Sequence, residues 1–206
     1  MLSVSGDEPT PQQMWIDERR RHALARFDDR IPALYRETID LPQAAADWAD
    51  GTPGAPASLF LTGNIGVGKT HTAWHTARRW LDRQYRHGRP GSPTVQTWRS
   101  TQLFDALRPE GDNPRAVTHA AQTCGLLYLD DLAAARVSPT GWTQERLYEI
   151  FDERYTSQLP VLITCDVLPA KLADIVGDRV ASRLAEMCRG GIHLMRGADR
   201  RLAGAA

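Results

Sequence analysis

SLFLTGNIGVGKT, residues 58–70, is the stretch whose reading decides the fold. Ser58–Thr62 is a short apolar run of the buried-strand type, and Gly63–Thr70 fits the pattern G-x-x-x-x-G-K-[ST]. From Lys69 to His87, Trp74, Ala77, Trp80, Leu81 and Tyr85 recur at roughly helical spacing. A strand, a glycine loop and a helix in that order form a phosphate cradle. Gly63, Gly66 and Gly68 let successive backbone N–H groups face an anion without Cβ obstruction, and the helix N-terminus adds partial positive charge. Lys69 supplies a compact cation for β- and γ-phosphates, and the Thr70 hydroxyl is a ligand for Mg²⁺. Asn64, Ile65, Val67 and His71 complete the segment expected to line a bound nucleotide. The chain has 23 arginines and only two lysines, and one of the two stands where this motif demands it.

Downstream the texture alternates. Strands are expected at Thr94–Trp98, Gly125–Leu129, Pro160–Thr164 and Gly191–Met195. Helices are expected at Gln102–Leu107, Arg115–Thr123, Trp142–Gln158, Pro169–Val176 and Asp178–Cys188. Such alternation implies a mostly parallel sheet covered on both faces. LLYLDDL, residues 126–132, ends an apolar strand in two acids. Ligands of parallel sheets bind beyond the carboxyl ends of the strands, so this motif and the glycine loop reach the same edge. Asp130 is then the Mg²⁺-shell carboxylate and Asp131 the acid that polarises an attacking water.

Upstream, DGTPGAPAS (50–58) cannot be regular structure and marks the clearest boundary, giving residues 1–50 as a helical extension and 51–206 as the core. Helices are expected at Gln13–Phe27 and Gln43–Trp48, with residues 1–12 frayed. Across 206 residues, 25 basic and 25 acidic side chains cancel. A free-standing DNA-binding domain usually carries a basic excess, so any nucleic-acid contact must come from a local patch or an assembly. Cys124, Cys165 and Cys188 stand far apart, which argues against a zinc site or a disulfide framework. No run approaches the ~20 apolar residues of a membrane helix, and the N-terminus lacks the apolar region of a signal peptide. The expected location is the cytoplasm, with no membrane partner.

Five segments together resemble the AAA+ ATPases of the DnaC/DnaI helicase-loader and IstB transposition-helper clade: GNIGVGKTHTA (63–73), LLYLDDL, WTQERLYEIFDERY (142–155), PVLITCDV (160–167) and GDRVASRLAEMC (177–188). The resemblance spans roughly residues 28–202. It implies a three-layer P-loop NTPase fold with a parallel five-stranded sheet of order 5-1-4-3-2, ATP and Mg²⁺ as cofactors, and a homo-oligomer on single-stranded DNA. It further implies Lys69, Asp131 and Arg183 as catalytic residues, Arg183 acting as an arginine finger on a neighbour's ATP, with Arg179 one turn away. Asp166 falls at the sensor position, where the clade usually has Asn. An ionised Asp cannot donate to a γ-phosphate, so hydrolysis is more in question than binding. After Met195 too few residues remain for a helical lid, and no Cys-rich zinc module precedes the core.

Residues 1–50, with Arg19-Arg20-Arg21-His22, are expected to hold a partner. Arg79, Arg83 and Arg86 share a helix face that could track phosphates, within a basic cluster of Arg78, Arg79, Arg83, Arg86, His87 and Arg89. His71 and His75, spaced i, i+4, form a metal pair only if a third ligand joins them. The leading function is an ATP-driven loader of a replicative DNA helicase. The alternatives are a transposition helper that recruits a transposase, a small-molecule kinase, and a non-hydrolysing ATP-binding regulator.

Overall fold

The computed structural model describes residues 9–86, 93–134, 142–168 and 171–199. Five parallel strands form one sheet: β1 (Leu59–Gly63), β2 (Val95–Arg99), β3 (Leu126–Asp130), β4 (Val161–Cys165) and β5 (Ile192–Met195). Their spatial order is β2-β3-β4-β1-β5, which read from the other edge is 5-1-4-3-2. Leu59 pairs with Leu162, Phe60 with Ile192, and Arg99 with Asp130, so the carboxyl ends of β1, β3 and β4 lie along one edge.

Helices cover both faces. Against one lie α1 (Pro11–Asp28), α2 (Gln43–Asp50) and α3 (Lys69–Arg86). Their Phe27, Trp48, Ala73, Ala77 and Leu81 pack with Leu59, Leu61, Tyr128 and Leu162 of the strands. Against the other lie α4 (Ser100–Leu107), α5 (Pro114–Thr123), α6 (Trp142–Thr156), α7 (Ala173–Val176) and α8 (Asp178–Met187), with Leu103, Phe151, Val180 and Leu184 meeting Phe60, Leu127 and Ile163. Strands β1, β3 and β4 are buried throughout because both faces are covered.

Local chemistry sets the helix starts. Thr10 caps α1 through a reciprocal pair with Gln13, with Pro11 in the first turn. Asn113 accepts the Ala116 amide at 3.1 Å and Pro114 opens α5. The expected α7 begins later than its sequence pattern, at Ala173; Pro169 and Ala170 lie outside the described residues, as do His87 and Arg89.

Across the stretch 50–58, α1 and α2 join an apolar cluster with β1 and α3. Ion pairs reinforce that joint: Arg78 with Asp28 at 2.6 Å, Arg79 with Asp50 at 2.6 Å, and Asp82 with both Arg20 and Arg86. The basic face expected to track phosphates is therefore partly spent inside the molecule, because the helices packed on α3 bring aspartates opposite Arg78 and Arg79.

Arg154 of α6 is fully buried. Its guanidinium donates to the carbonyls of Ala121, Gln122, Cys124 and Pro160 at 2.6–3.3 Å, satisfying the open carboxyl end of α5 and the entry to β4.

Candidate active site

The glycine loop leaves β1 at Gly63 (φ 144°) and turns at Gly66 (φ 82°) and Gly68 (φ 96°) before α3 begins at Lys69. A side chain at Gly63 would strike the Met195 carbonyl of β5, and one at Gly66 would strike the Asp199 carboxylate. Val67 is buried beneath the loop and Ile65 stands exposed on it. The half-buried Lys69 ammonium donates to the Gly63 and Asn64 carbonyls at 2.8 and 2.9 Å, lying along the inside of the turn. Loss of water lowers its pKa, opposed by the nearby Asp166 and Asp131 charges.

Asp130 ends β3 with its carboxylate buried. Its Oδ1 accepts three hydroxyls: Thr70 at 2.9 Å, Thr164 at 2.7 Å and Tyr128 at 2.8 Å. Thr164, on β4, also accepts the Asp131 amide at 2.8 Å. Asp131 itself sits at φ 56°, a left-handed conformation costly for a side-chain-bearing residue. Its carbonyl accepts the Ser100 hydroxyl at 2.6 Å, so α4 and β4 hold the strained residue from both sides. Loss of water raises the Asp131 pKa, helped by Asp166 and Asp130 and opposed by Lys69.

Lys69, Thr70, Asp130, Asp131 and Asp166 thus gather at one edge of the sheet. A hydroxyl and a carboxylate in mutual contact are hard oxygen donors of the kind Mg²⁺ takes, and the loop with its lysine suits a polyphosphate. Four further sequence-derived residues make contacts outside this group. His71 Nε2 lies 2.7 Å from the Glu37 carbonyl and His75 Nε2 lies 2.9 Å from that of Tyr35, so both fasten the segment before α2 onto α3. Arg183 pairs within its own chain with Asp152 at 2.9 Å and Glu186 at 3.4 Å, and stacks over Tyr155. Arg179 stacks over Tyr148. Tyr128, Thr164 and Ser100 were not singled out by the motifs. For Tyr128 a signal was present: it precedes Asp130 by two residues on one strand, which places both on one face.

Sheet order, loop and acid pair define a P-loop nucleoside-triphosphatase fold of the AAA+ type. No protein-family model matches the chain. It is 25% identical over 143 residues to the uncharacterized protein YqaM of Bacillus subtilis strain 168, covering 68% of this chain and 43% of that protein. It is 26% identical over 186 residues to the chromosomal replication initiator protein DnaA of Lactobacillus helveticus, covering 85% and 39%. The chain therefore spans less than half the length of these relatives. Among solved structures, DnaI superposes with a TM-score of 0.58 at 17% identity over 97% of this chain and 88% of that one. The DnaC helicase loader gives 0.53 at 20% over 94% of each, and DnaA bound to AMPPCP and single-stranded DNA gives 0.58 at 22% over 75% and 45%. The chain has the AAA+ fold of these replication proteins, which bears out the resemblance to the DnaC/DnaI type in fold. Among the described residues, no helix is long and apolar enough to cross a membrane.

Proposed function

We propose that this chain is an ATPase of the helicase-loader kind, which binds ATP with Mg²⁺, assembles on single-stranded DNA and delivers a replicative helicase. The observation that carries the reading is the meeting of the loop's Lys69 and Thr70 with Asp130 and Asp131 at one sheet edge. The loop amides and Lys69 hold the polyphosphate, while Thr70 and Asp130 hold the metal, which when bound neutralises phosphate charge. Asp131, braced by Thr164 and Ser100, orients and polarises a water.

Arg183 serves a neighbouring copy's ATP. Its ties to Asp152 and Glu186 are partly exposed, solvent-screened ion pairs of the weak surface kind, so releasing it costs little. The residues 1–50 hold the partner, and among the described ones Met14 and Trp15 on α1 and Leu34, 58%, 55% and 78% exposed, are large apolar groups available to it.

A second reading, an ATP-binding regulator that does not hydrolyse, is favoured by one observation. Asp166 is an exposed carboxylate within electrostatic reach of both Lys69 and Asp131. ATP binding and turnover measured with and without single-stranded DNA test both. The loader reading expects turnover that rises with DNA, loss of binding in Lys69→Ala, and binding without turnover in Asp131→Ala. Binding without turnover in the unaltered chain supports the regulator, and absence of binding overturns both.

A further inference from the structure

We infer that Tyr128 is a positioning residue for the metal-binding carboxylate, a role resting on the nucleotide-binding reading above. Its side chain is 1% exposed, and its hydroxyl donates to Asp130 Oδ1 at 2.8 Å. The other two donors to that oxygen are already explained: Thr70 belongs to the phosphate loop, and Thr164 braces Asp131. Neither reason applies to a tyrosine in the middle of an otherwise aliphatic LLYLD strand.

The ring is clamped. It meets Trp74 of α3 edge-on, with centroids 5.4 Å apart and planes at 89°, and Trp74 meets Phe27 of α1 at 5.7 Å. A phenol on a rigid ring, held by Trp74 with Phe27 behind it, delivers its hydrogen bond from a fixed direction. Buried phenols need a partner, and here the partner is a charge, which makes the bond stronger than a neutral one.

Three hydroxyls from three elements converge on Oδ1 and fix the carboxylate's rotation. These three bonds leave Oδ2 to serve a metal, were one bound. An aspartate with the two threonines alone would keep its contacts but lose the donor that comes from its own strand. Tyr128 also ties Asp130, through Trp74, to the helix that begins with Lys69 and Thr70.

Tyr128→Phe tests this, because it keeps the ring and its stacking and removes only the hydroxyl. The first measurement needs no metal: a double-mutant cycle in urea with Tyr128→Phe, Asp130→Ala and the pair. Direct contact expects the unfolding constants of the single variants to fail to multiply, by about tenfold. The second is the Mg²⁺ concentration that half-saturates nucleotide binding, followed with a fluorescent ATP analogue, beside the affinity in EDTA. Positioning expects the half-saturating Mg²⁺ to rise about fivefold to tenfold in Tyr128→Phe while the EDTA affinity stays the same.

A multiplicative cycle, or an unchanged Mg²⁺ requirement alongside lowered stability, makes Tyr128 a core residue only and overturns the inference. A coupled cycle in a chain that binds no nucleotide at all refutes the nucleotide-binding reading itself, and the metal-positioning role falls with it.

Discussion

Thr164→Val isolates a hydroxyl that serves both acids at once. Valine has nearly the same shape, and the site is 1% exposed, so packing in β4 should survive. The Asp131 amide loses its acceptor at 2.8 Å, and a donor left without a partner costs about 1–3 kcal/mol. Asp130 loses one of three donors, a bond to a charge worth about 1.5–3 kcal/mol and here toward the low end because two remain. Asp131 at φ 56° carries a conformational cost of about 1–2 kcal/mol, which the amide tether helps to hold. Relaxation of that backbone returns part of the loss. The expected net destabilisation is about 3 kcal/mol, a large share of the ~5–15 kcal/mol available to a domain. Urea denaturation followed by circular dichroism measures it. Thr164→Ser keeps the hydroxyl and should recover all but about 1 kcal/mol. ATP turnover, where the chain hydrolyses, should fall about 10²-fold in the valine variant, because the Asp131 carboxylate moves with its backbone. A valine variant within about 0.5 kcal/mol of the parent, with equal turnover, would refute the reasoning.

Asp166→Asn removes a negative charge that acts on both Lys69 and Asp131, and turnover is expected to stay equal or rise; a tenfold loss would give Asp166 a positive role of its own. Mixing the inactive variants Arg183→Ala and Asp131→Ala should restore part of the turnover, since an intact ATP site can receive Arg183 from the other variant, and a mixture that co-assembles, binds ATP and stays inactive would return Arg183 to its ion pairs on the helix surface.

The fold was legible because its signals are local. Short apolar runs such as SLFLT, LLYL and PVLIT, a glycine loop between strand and helix, and acids at a strand end need no knowledge of distant residues. The candidate site was legible where a motif sits at a strand end, as with Lys69, Thr70, Asp130 and Asp131, which the fold brings to one edge. What escaped depends on partners remote in sequence. Thr164 meets Asp131 across 33 positions, and Arg78 and Arg79 meet aspartates 50 and 29 positions away, so a basic helix face looked open when it was already in use. Helical spacing places those arginines correctly and says nothing of what faces them. The histidines of α3 follow the same logic, with acceptors 34 and 40 positions upstream.

The place of β1 in the sheet has a consequence for synthesis on the ribosome. Among the described strands the first made is flanked by the last two, β4 and β5, and the Ser58 hydroxyl waits for an amide 103 residues further on. At about 5–20 residues per second that interval lasts about 5–20 s. During it Leu59 and Leu61 can lean on α1, α2 and α3, which are complete early, whereas the layer on the Phe60 side is built from α4 to α8 and is finished later. One half of the molecule can therefore settle as it is translated. The other half, including β4 with Thr164, must wait, and the edge that carries Asp130 and Asp131 closes only after β4 has been made.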